Sequence, residues 1–578
     1  MKELVGVPAS SGVAIGKVFL YKDDIFSQIP RYAIHEGNVE GEWKRFVEAN
    51  QSAQREVQDL RDRAQREMGD EQAKIFEAHL LMLSDEDIHD QLKNRLETSL
   101  ENIEWVVWEN SRALAQKLNT AQDPALRDRA ADIYDVSRRL LNNLLSIKKI
   151  SLTELTSDCV LVARDLLPSD ALVMNRSHVK ALVLDMGGMT SHTAILARAF
   201  EIPAVLGLSK ASLEIKDGDT AVVDGSSGRV IVNPDEATLQ KYRTITINLQ
   251  KIAGELEALR DLPAETLDGV RFQLKANIEI PEEAEHAIQY GAEGIGLYRS
   301  EFLFLTAGSA TDEEQQYQAY RTVVSAMGGK PVTIRTLDVG GDKLIPDLQS
   351  KEEKNPLLGW RAIRFCLSHR DLFKTQLRAL LRSSVEGNLK IMFPMISGIE
   401  ELEDALEVLE EAKAECRERG QAFAENLEVG TMIEIPSAAM TADILAKRSA
   451  FFSIGTNDLV QYSIAVDRGN ERTAYLAQPF HPAVLRFIKR TIDAAHTMGI
   501  PAAMCGELAG DPQATGILLG LGLDEFSMSA SSIPRVKRVI RSCGASDCRL
   551  LAENALALSS YRDVQKLVQQ WMDQRFPS

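Results

Sequence analysis

The sequence predicts a multidomain α/β protein: a small α/β domain carrying an inserted α-helical bundle, a linker helix, and a C-terminal (β/α)8 barrel of the TIM type. Three observations predict it. The chain has 578 residues, too many for one hydrophobic core. Near residue 42 the composition changes from strand-like Val and Gly to Glu, Gln, Arg and Leu at helical spacing, and it changes back near residue 144. After residue 263, eight apolar, β-rich runs recur with helix-like segments between most of them.

The opening stretch, LVGVPASSGVAIGKVFLYK, is rich in Val, Gly and small residues and reads as short strands and turns. Residues 42–144 are almost free of Gly, and EWKRFVEANQSAQREVQDLRDRAQREMGDEQAKIFEAHLLML is a long helical pattern. From 159 to 233, short Val/Leu/Ile runs alternate with turns and one or two helices, the texture of the opening stretch. Residues 1–22 and 147–234 are therefore expected to form one α/β domain, with 23–146 as a helical insertion whose body is 42–144. Residues 235–260 read as one exposed helix running into DLPAETLDG, which predicts a linker over 235–262. The barrel is expected over 263–578, with strands at 271–279, 292–298, 331–338, 389–395, 427–434, 451–456, 500–507 and 523–529. An open doubly wound sheet is the alternative; eight regular units favour closure.

Composition narrows the function. A net charge of −18 speaks against nucleic-acid binding, because phosphate backbones demand basic surface. The plain reading of that acidity is solubility; the functional one is a face for a basic partner. No apolar stretch reaches membrane-spanning length, and the start, MKELVGVPASSG, lacks the apolar core of a signal peptide. Cys159, Cys366, Cys416, Cys505, Cys543 and Cys548 show neither CxxC nor zinc spacing. A chain this long needs no disulfide staples, so reduced thiols and a cytoplasmic location are expected.

One segment of the α/β domain carries chemistry. In DMGGMTSHTAILARAFEIPAVLG, a strand (181–185) leads through Gly187 and Gly188 to Thr190, Ser191 and His192, then an amphipathic stretch over 193–200. The pattern predicts strand, glycine turn, and helix capped by Thr190 or Ser191. A helix start attracts phosphate and disfavours imidazolium, leaving a neutral, nucleophilic imidazole. The plain reading is a surface histidine beside an ordinary N-cap.

The barrel should gather its site at the C-terminal ends of the strands. Those ends read Tyr298-Arg299-Ser300-Glu301; Arg335 and Asp338 followed by Gly340-Gly341-Asp342-Lys343; Glu434; Gly455-Thr456-Asn457-Asp458 with Asp467-Arg468-Gly469-Asn470 after it; and Met504-Cys505-Gly506-Glu507. Arginines offer fork-shaped donors to phosphate and carboxylate. Glu434 and Asp458 on adjacent strands could hold Mg2+, which takes a few carboxylates and fills its shell with water or substrate oxygens. Cys505 could be a nucleophile or an acid, and without a nearby base its role is open. Plain readings exist for each: surface ion pairs for Lys343, Arg361 and Arg364, a buried small hydrophobe for Cys505, a turn or cap for Asn457 and Asp458. Their coincidence at strand after strand points to a small phosphorylated carboxylate bound through a metal.

These blocks resemble the enzyme I family of the bacterial phosphoenolpyruvate (PEP):sugar phosphotransferase system. The resemblance spans nearly the whole chain: ASSGVAIGK, IFEAHLLML, GGMTSHTAILAR, EGIGLYRSEFLF, IRTLDVGGDK, NPLLGWRAIR, IMFPMI, FFSIGTNDLVQYSIAVDRGN, MCGELAGD and LGLDEFSMS, in that order. It implies a swivelling phosphohistidine domain in which His192 accepts phosphate through Nε2. It implies that Arg299, Arg335, Asn457, Asp458 and Arg468 bind PEP, that Glu434 and Asp458 hold Mg2+, and that Cys505 protonates the pyruvate enolate. It further implies transfer to a histidine of the small carrier protein HPr, docked on the helical insertion around residues 68–83, and a homodimer through the barrel. The outward face alone of that stretch can meet a partner; its apolar face packs inward in any amphipathic helix. Two departures stand out: Met189 occupies the place of the usual arginine in GGRTSH, as in pyruvate phosphate dikinase, and ASSG replaces ASPG.

Pyruvate phosphate dikinase and PEP synthase share the histidine domain and the barrel but need an ATP-binding domain, and no glycine-rich nucleotide loop precedes the histidine segment here. A relative of those enzymes lacking the ATP domain, or an enzyme I-like paralogue with a mainly regulatory phosphorelay role, are the alternatives. Direct membrane insertion and nucleic acid are not expected. The histidine has to meet two partners in turn, which makes the linker a hinge candidate.

Overall fold

A computed structural model of the chain describes the backbone outside residues 22–24, 26–28, 69, 120–123, 147–151, 153–154, 156, 167–169, 171–173, 175–176, 189–191, 201, 307–311, 340–354, 468–469, 471 and 577–578. Its description of side chains also leaves out 63–75, 119–131, 192, 195, 199, 249–250, 252–253 and 305–306. The chain divides into two compact units, Met1–Lys251 and Ile252–Ser578. No helix among the described residues is long and apolar enough to cross a membrane.

The first unit holds an eight-stranded mixed sheet. Its strands are β1 (Lys2–Val5), β2 (Val7–Ser10), β3 (Val13–Tyr21), β4 (Cys159–Ala163), β5 (Val179–Leu184), β6 (Ala204–Leu206), β7 (Thr220–Asp224) and β8 (Arg229–Val232), in the spatial order β1-β8-β7-β3-β4-β5-β6-β2. Two pieces of sequence separated by the helical segment meet where β3 pairs in parallel with β4. Every residue of β4 is buried, as a strand covered on both faces requires. Its side chains alternate: Leu161 and Ala163 face one core with Ala194 and Ala197, Val160 and Val162 the other with Ala211 and Ile215.

Among the described residues, five α-helices run between β3 and β4: α1 (Val39–Met68), α2 (Asp70–Leu83), α3 (Glu86–Ser99), α4 (Ile103–Asn119) and α5 (Pro124–Leu144). The long helical pattern of 42–83 is thus two helices that pack on each other, with Gly69 between them outside the described residues. Asp85 caps α3 by accepting from the Ile88 amide at 3.1 Å. Phe46, Leu92, Leu96, Val106 and Leu140 fill the interior of the bundle.

The helix Glu236–Ala258 follows β8, and the division between the units falls inside it. The second unit is a closed barrel of eight parallel strands: β9 (Gln273–Ile278), β10 (Ile295–Arg299), β11 (Val332–Arg335), β12 (Leu389–Phe393), β13 (Glu428–Ile433), β14 (Phe452–Ile454), β15 (Ala502–Met504) and β16 (Glu525–Met528), with β16 pairing back onto β9. All eight predicted runs are strands, and the sheet closes rather than staying open. The ends of β10 and β11 are locked together from behind by Gln376, which is fully buried in the helix Arg370–Ser383. Its Oε1 accepts the Leu337 amide at 2.9 Å, and its Nε2 donates to Ser300 Oγ and Tyr320 Oη, each at 3.0 Å.

Gln376→Leu keeps the volume but strands the Leu337 amide in the interior and takes one donor from the Ser300 and Tyr320 hydroxyls, which keep their own bonds to the Arg335 carbonyl and Gln316, so it should cost about 2–3 kcal/mol of barrel stability. Chemical denaturation measures this; a loss below about 0.5 kcal/mol, within the range of ordinary surface substitutions, would show that the lock contributes nothing.

Candidate active site at the barrel mouth

Arg335 is the last residue of β11 and is 9% exposed. Its guanidinium donates to Glu301 at 2.6 Å and pairs with Asp338 at 3.0 Å. Glu301 also accepts the Asp338 amide at 3.1 Å, tying the loop after β10 to the loop after β11. Asp338 in turn holds Arg361 through both oxygens, at 2.9 and 3.1 Å from Nη2. Arg361 reaches Asp458 at 3.6 Å and the Tyr462 hydroxyl at 3.3 Å. Arg361 is therefore a buried member of the site, not the surface ion-pair residue of the plain reading. Arg364 does fit that reading: its side chain is 32% exposed and faces Glu401 at 3.6 Å.

Glu434 follows β13, is 2% exposed, and accepts the Met395 amide at 2.6 Å. Met395 has φ +57° and Ala362, next to Arg361, has φ +54°. Neither is glycine, so the two loops hold backbone strain where they aim these groups. Asp458, 8% exposed, lies in the first turn of the helix Thr456–Ile464. Asn457 beside it exchanges hydrogen bonds with Glu507, donating to the carboxylate at 3.2 Å and accepting the Glu507 amide at 3.0 Å. Arg299 ends β10 and pairs with Glu279, just past the end of β9; it is half-buried. Cys505, 3% exposed, follows β15, and its carbonyl accepts from Asn277 Nδ2 at 2.9 Å. Gly455 and Gly506 have no room for a side chain: a Cβ would stand 2.8 Å from Glu434 Oε2 in the first case and 1.9 Å from Thr456 Oγ1 in the second.

The mouth thus brings together Arg335, Glu434 and Cys505, whose charges act on one another, with Asp458 acting on Glu434. Arg468 and the run 340–343 lie outside the described residues. His192 is the first residue of the helix His192–Ala199 in the other unit, where a Ser191 cap would start it and one residue later than a Thr190 cap would. Thr190, Ser191 and Met189 lie outside the described residues. That helix is fixed to the segment after β4 by Thr193 Oγ1 donating to the Leu166 carbonyl at 3.0 Å, and to β2 by Arg198 donating to the Ala9 carbonyl at 3.0 Å. Sequence reasoning passed over Tyr462, Asn277 and Gln376. Tyr462 carried a signal, since it stands one helical turn after Asp458 on the same face; the other two carried none.

Burial disfavours the charge of Arg335, but Glu301, Asp338 and Glu434 outweigh it and hold the guanidinium firmly protonated. Burial, and then the like charges of Asp458 and Asp338, push the Glu434 carboxyl up to about 8. Burial likewise raises the Cys505 thiol, against the pull of the Ser453 hydroxyl and Arg335, so the thiol keeps its proton near neutral pH. Among the described residues no three or more His, Cys, Asp or Glu side chains cluster as a closed ligand set. Two carboxylates that repel each other in a buried mouth suit a cation that fills the rest of its shell with water or substrate oxygens, as Mg2+ does.

The raised Glu434 carboxyl has a sign. Its proton is held more tightly folded than unfolded, so its contribution to stability is full below about 4.5 and is lost as pH rises through about 8. In chelator, the melting temperature of the protein should fall across that window, and Glu434→Gln should remove part of the fall. Equal slopes for the two proteins would contradict the assignment.

Known proteins match the whole length. Residues 5–129 match the family described as PEP-utilising enzyme, N-terminal; 155–228 match PEP-utilising enzyme, mobile domain; and 253–544 match PEP-utilising enzyme, PEP-binding domain. The chain is 43% identical over 570 residues to the phosphoenolpyruvate-protein phosphotransferase of Listeria innocua, covering 99% of both chains. It is 44% identical over 568 residues to that of Geobacillus stearothermophilus, covering 98% of both. With that of Bacillus subtilis it shares 42% identity over 573 residues, which is 99% of this chain and 100% of the relative. Three consecutive domain matches and full-length identity above 40% place it in one group: the chain belongs to the phosphoenolpyruvate-protein phosphotransferase family of PEP-utilising enzymes.

Proposed function

We propose that the chain transfers the phosphoryl group of PEP to its own His192 and from there to a histidine of the phosphocarrier HPr, releasing pyruvate, as the first general step of PEP-dependent sugar uptake in the cytoplasm. The observation that carries this reading is the barrel mouth: paired arginines, two adjacent buried carboxylates and a protonated thiol in one place. These are the groups that accepting a phosphorylated enol demands.

The arginines Arg299, Arg335 and Arg468, with Asn457 and Asp458, bind PEP. Glu434 and Asp458 hold Mg2+, which when bound neutralises phosphate charge. Fixed positive charge is what phosphoryl transfer needs most, because the protein makes and breaks few bonds of its own in that step. His192 Nε2 takes the phosphoryl group, and the enolate left behind takes the Cys505 proton at its methylene carbon. A thiol kept neutral by burial can donate that proton; a thiolate could not. The matches to a mobile domain and a PEP-binding domain support dividing the labour as 1–22 with 147–234 for the histidine, 23–146 for HPr docking around 68–83, 235–262 as the swivel, and 263–578 for PEP and homodimerisation. A mainly regulatory phosphorelay would use the same site, and the intact set of charges at the mouth favours turnover.

Incubation with labelled PEP and Mg2+ should label the protein, and the label should vanish in His192→Ala. Absence of label, or label surviving that substitution, would sink the proposal. Cys505→Ala should leave labelling and PEP binding within a fewfold while slowing pyruvate formation severalfold more; equal losses would remove Cys505 from the proton transfer.

A further inference from the structure

The C-terminal part of the barrel unit holds two thiols that the reaction above does not use. Cys543 follows the helix Ile533–Ile540, and Cys548 lies in the first turn of the helix Ala545–Ala557, on the other side of its N-cap, Gly544. The spacing is CGASDC. Both residues are buried. Their sulfurs are 3.4 Å apart, with the Cys548 thiol donating to Cys543 and the Cys543 thiol donating to the Ile540 carbonyl at 3.4 Å. No other thiol–thiol hydrogen bond forms among the described residues, although all six cysteines are free.

The turn that carries them is an anchor. The Leu267 amide donates to the Cys543 carbonyl at 3.0 Å. Asp268 accepts the Ala545 amide at 2.9 and 3.0 Å and the Ser546 amide at 3.4 Å. Just upstream, Lys537 Nζ donates to the Arg260 carbonyl and Arg541 donates to the Pro263 carbonyl, each at 2.7 Å. The segment that leads from the helix Glu236–Ala258 to β9 is therefore laced, at five points, onto the chain from Lys537 to Ser546. Cys543 lies within that laced stretch and Cys548 two residues beyond it.

We infer that Cys543 and Cys548 form a redox-active dithiol that hydrogen peroxide converts to a disulfide, fixing the turn that anchors the segment before β9. The division of labour follows from the contacts. The hydrogen bond from Cys548 draws the Cys543 thiol down, against burial and with help from Arg575, so Cys543 is the nucleophile; Cys548, pushed up by the same bond and by burial, is the resolving thiol. Cys543 sulfur attacks one peroxide oxygen and the O–O bond breaks. The departing hydroxide takes the Cys543 proton as water and leaves a sulfenic acid. Cys548 sulfur then attacks the Cys543 sulfur; the S–O bond breaks, and the second hydroxide leaves as water with the Cys548 proton. Two thiols have lost two electrons and two protons to one peroxide, giving one disulfide and two waters. The sulfurs must close from 3.4 Å to about 2.0 Å.

The test uses the reduced full-length protein and limiting hydrogen peroxide, followed by acid quench, alkylation and peptide mass mapping. The expected result is loss of alkylation at Cys543 and Cys548 before any other cysteine, in a linked peptide lighter by two hydrogens. Free thiols then fall from six to four and return to six with dithiothreitol. Hydrogen exchange of the Leu267 and Ala545 amides should slow in the oxidised protein. Cys548→Ser should stop at a Cys543 sulfenic acid that dimedone traps. Cys505 or another thiol reacting first, or Cys543 and Cys548 remaining alkylated after peroxide, would overturn the proposal on the unsubstituted protein alone, whatever the variant does.

Discussion

The Asp338 carboxylate is the contact on which the candidate site depends. It sits between two buried arginines, Arg335 at 3.0 Å and Arg361 at 2.9 Å, and so joins the loop after β11 to the segment that follows residue 354. Burying one charge without a partner is prohibitive, and removing one member of a buried pair typically costs about 3–5 kcal/mol. Two arginines can therefore stay charged inside the mouth because carboxylates already hold them. Glu301 and Asp458 extend the same alternation of signs to β10 and to the helix after β14. A phosphorylated acid entering there meets donors that are already oriented, and little reorganisation remains for the moment of reaction.

Glu434 stands at the other extreme. Asp338 and Asp458 repel it, and Arg335 and the Met395 amide offset part of that repulsion. A cation resolves that imbalance. The Cys505 thiol beside it keeps its proton through burial, with Glu434 working in the same direction and Arg335 against it. The strain at Met395 and Ala362 belongs to this arrangement, because each lies in a loop that delivers a polar group to the mouth.

Much of this was legible in the residues. Eight β-rich runs with intervening helices forced the barrel, and strand direction then forced Arg299, Arg335, Glu434, Asp458 and Cys505 to one rim. The Glu- and Arg-rich stretch before residue 144 stood apart from its flanks because no strand tolerates that period. What stayed hidden depends on long-range contact. Arg361 is 23 residues from Asp338, in a segment whose charge pattern looks like any solvated surface. Gln376 and Asn277 make their contacts across the barrel wall, and nothing local distinguishes them from surface amides. The split between α1 and α2 was missed because one Gly in a long helical pattern is weak punctuation. Cys543 and Cys548 read as scattered thiols, since a four-residue gap carries no metal or redox signature until a turn folds it back.

On this reading the buried alternation of charge around Asp338 prepares the mouth for PEP. It is tested most directly by titrating PEP with Mg2+ into proteins that cannot be phosphorylated, carrying His192→Ala with either Arg361→Met or Arg364→Met. Loss of buried Arg361 should weaken PEP binding by about a hundredfold, while loss of Arg364, paired at the surface with Glu401, should change it by no more than about twofold. Similar affinities for the two proteins would contradict it.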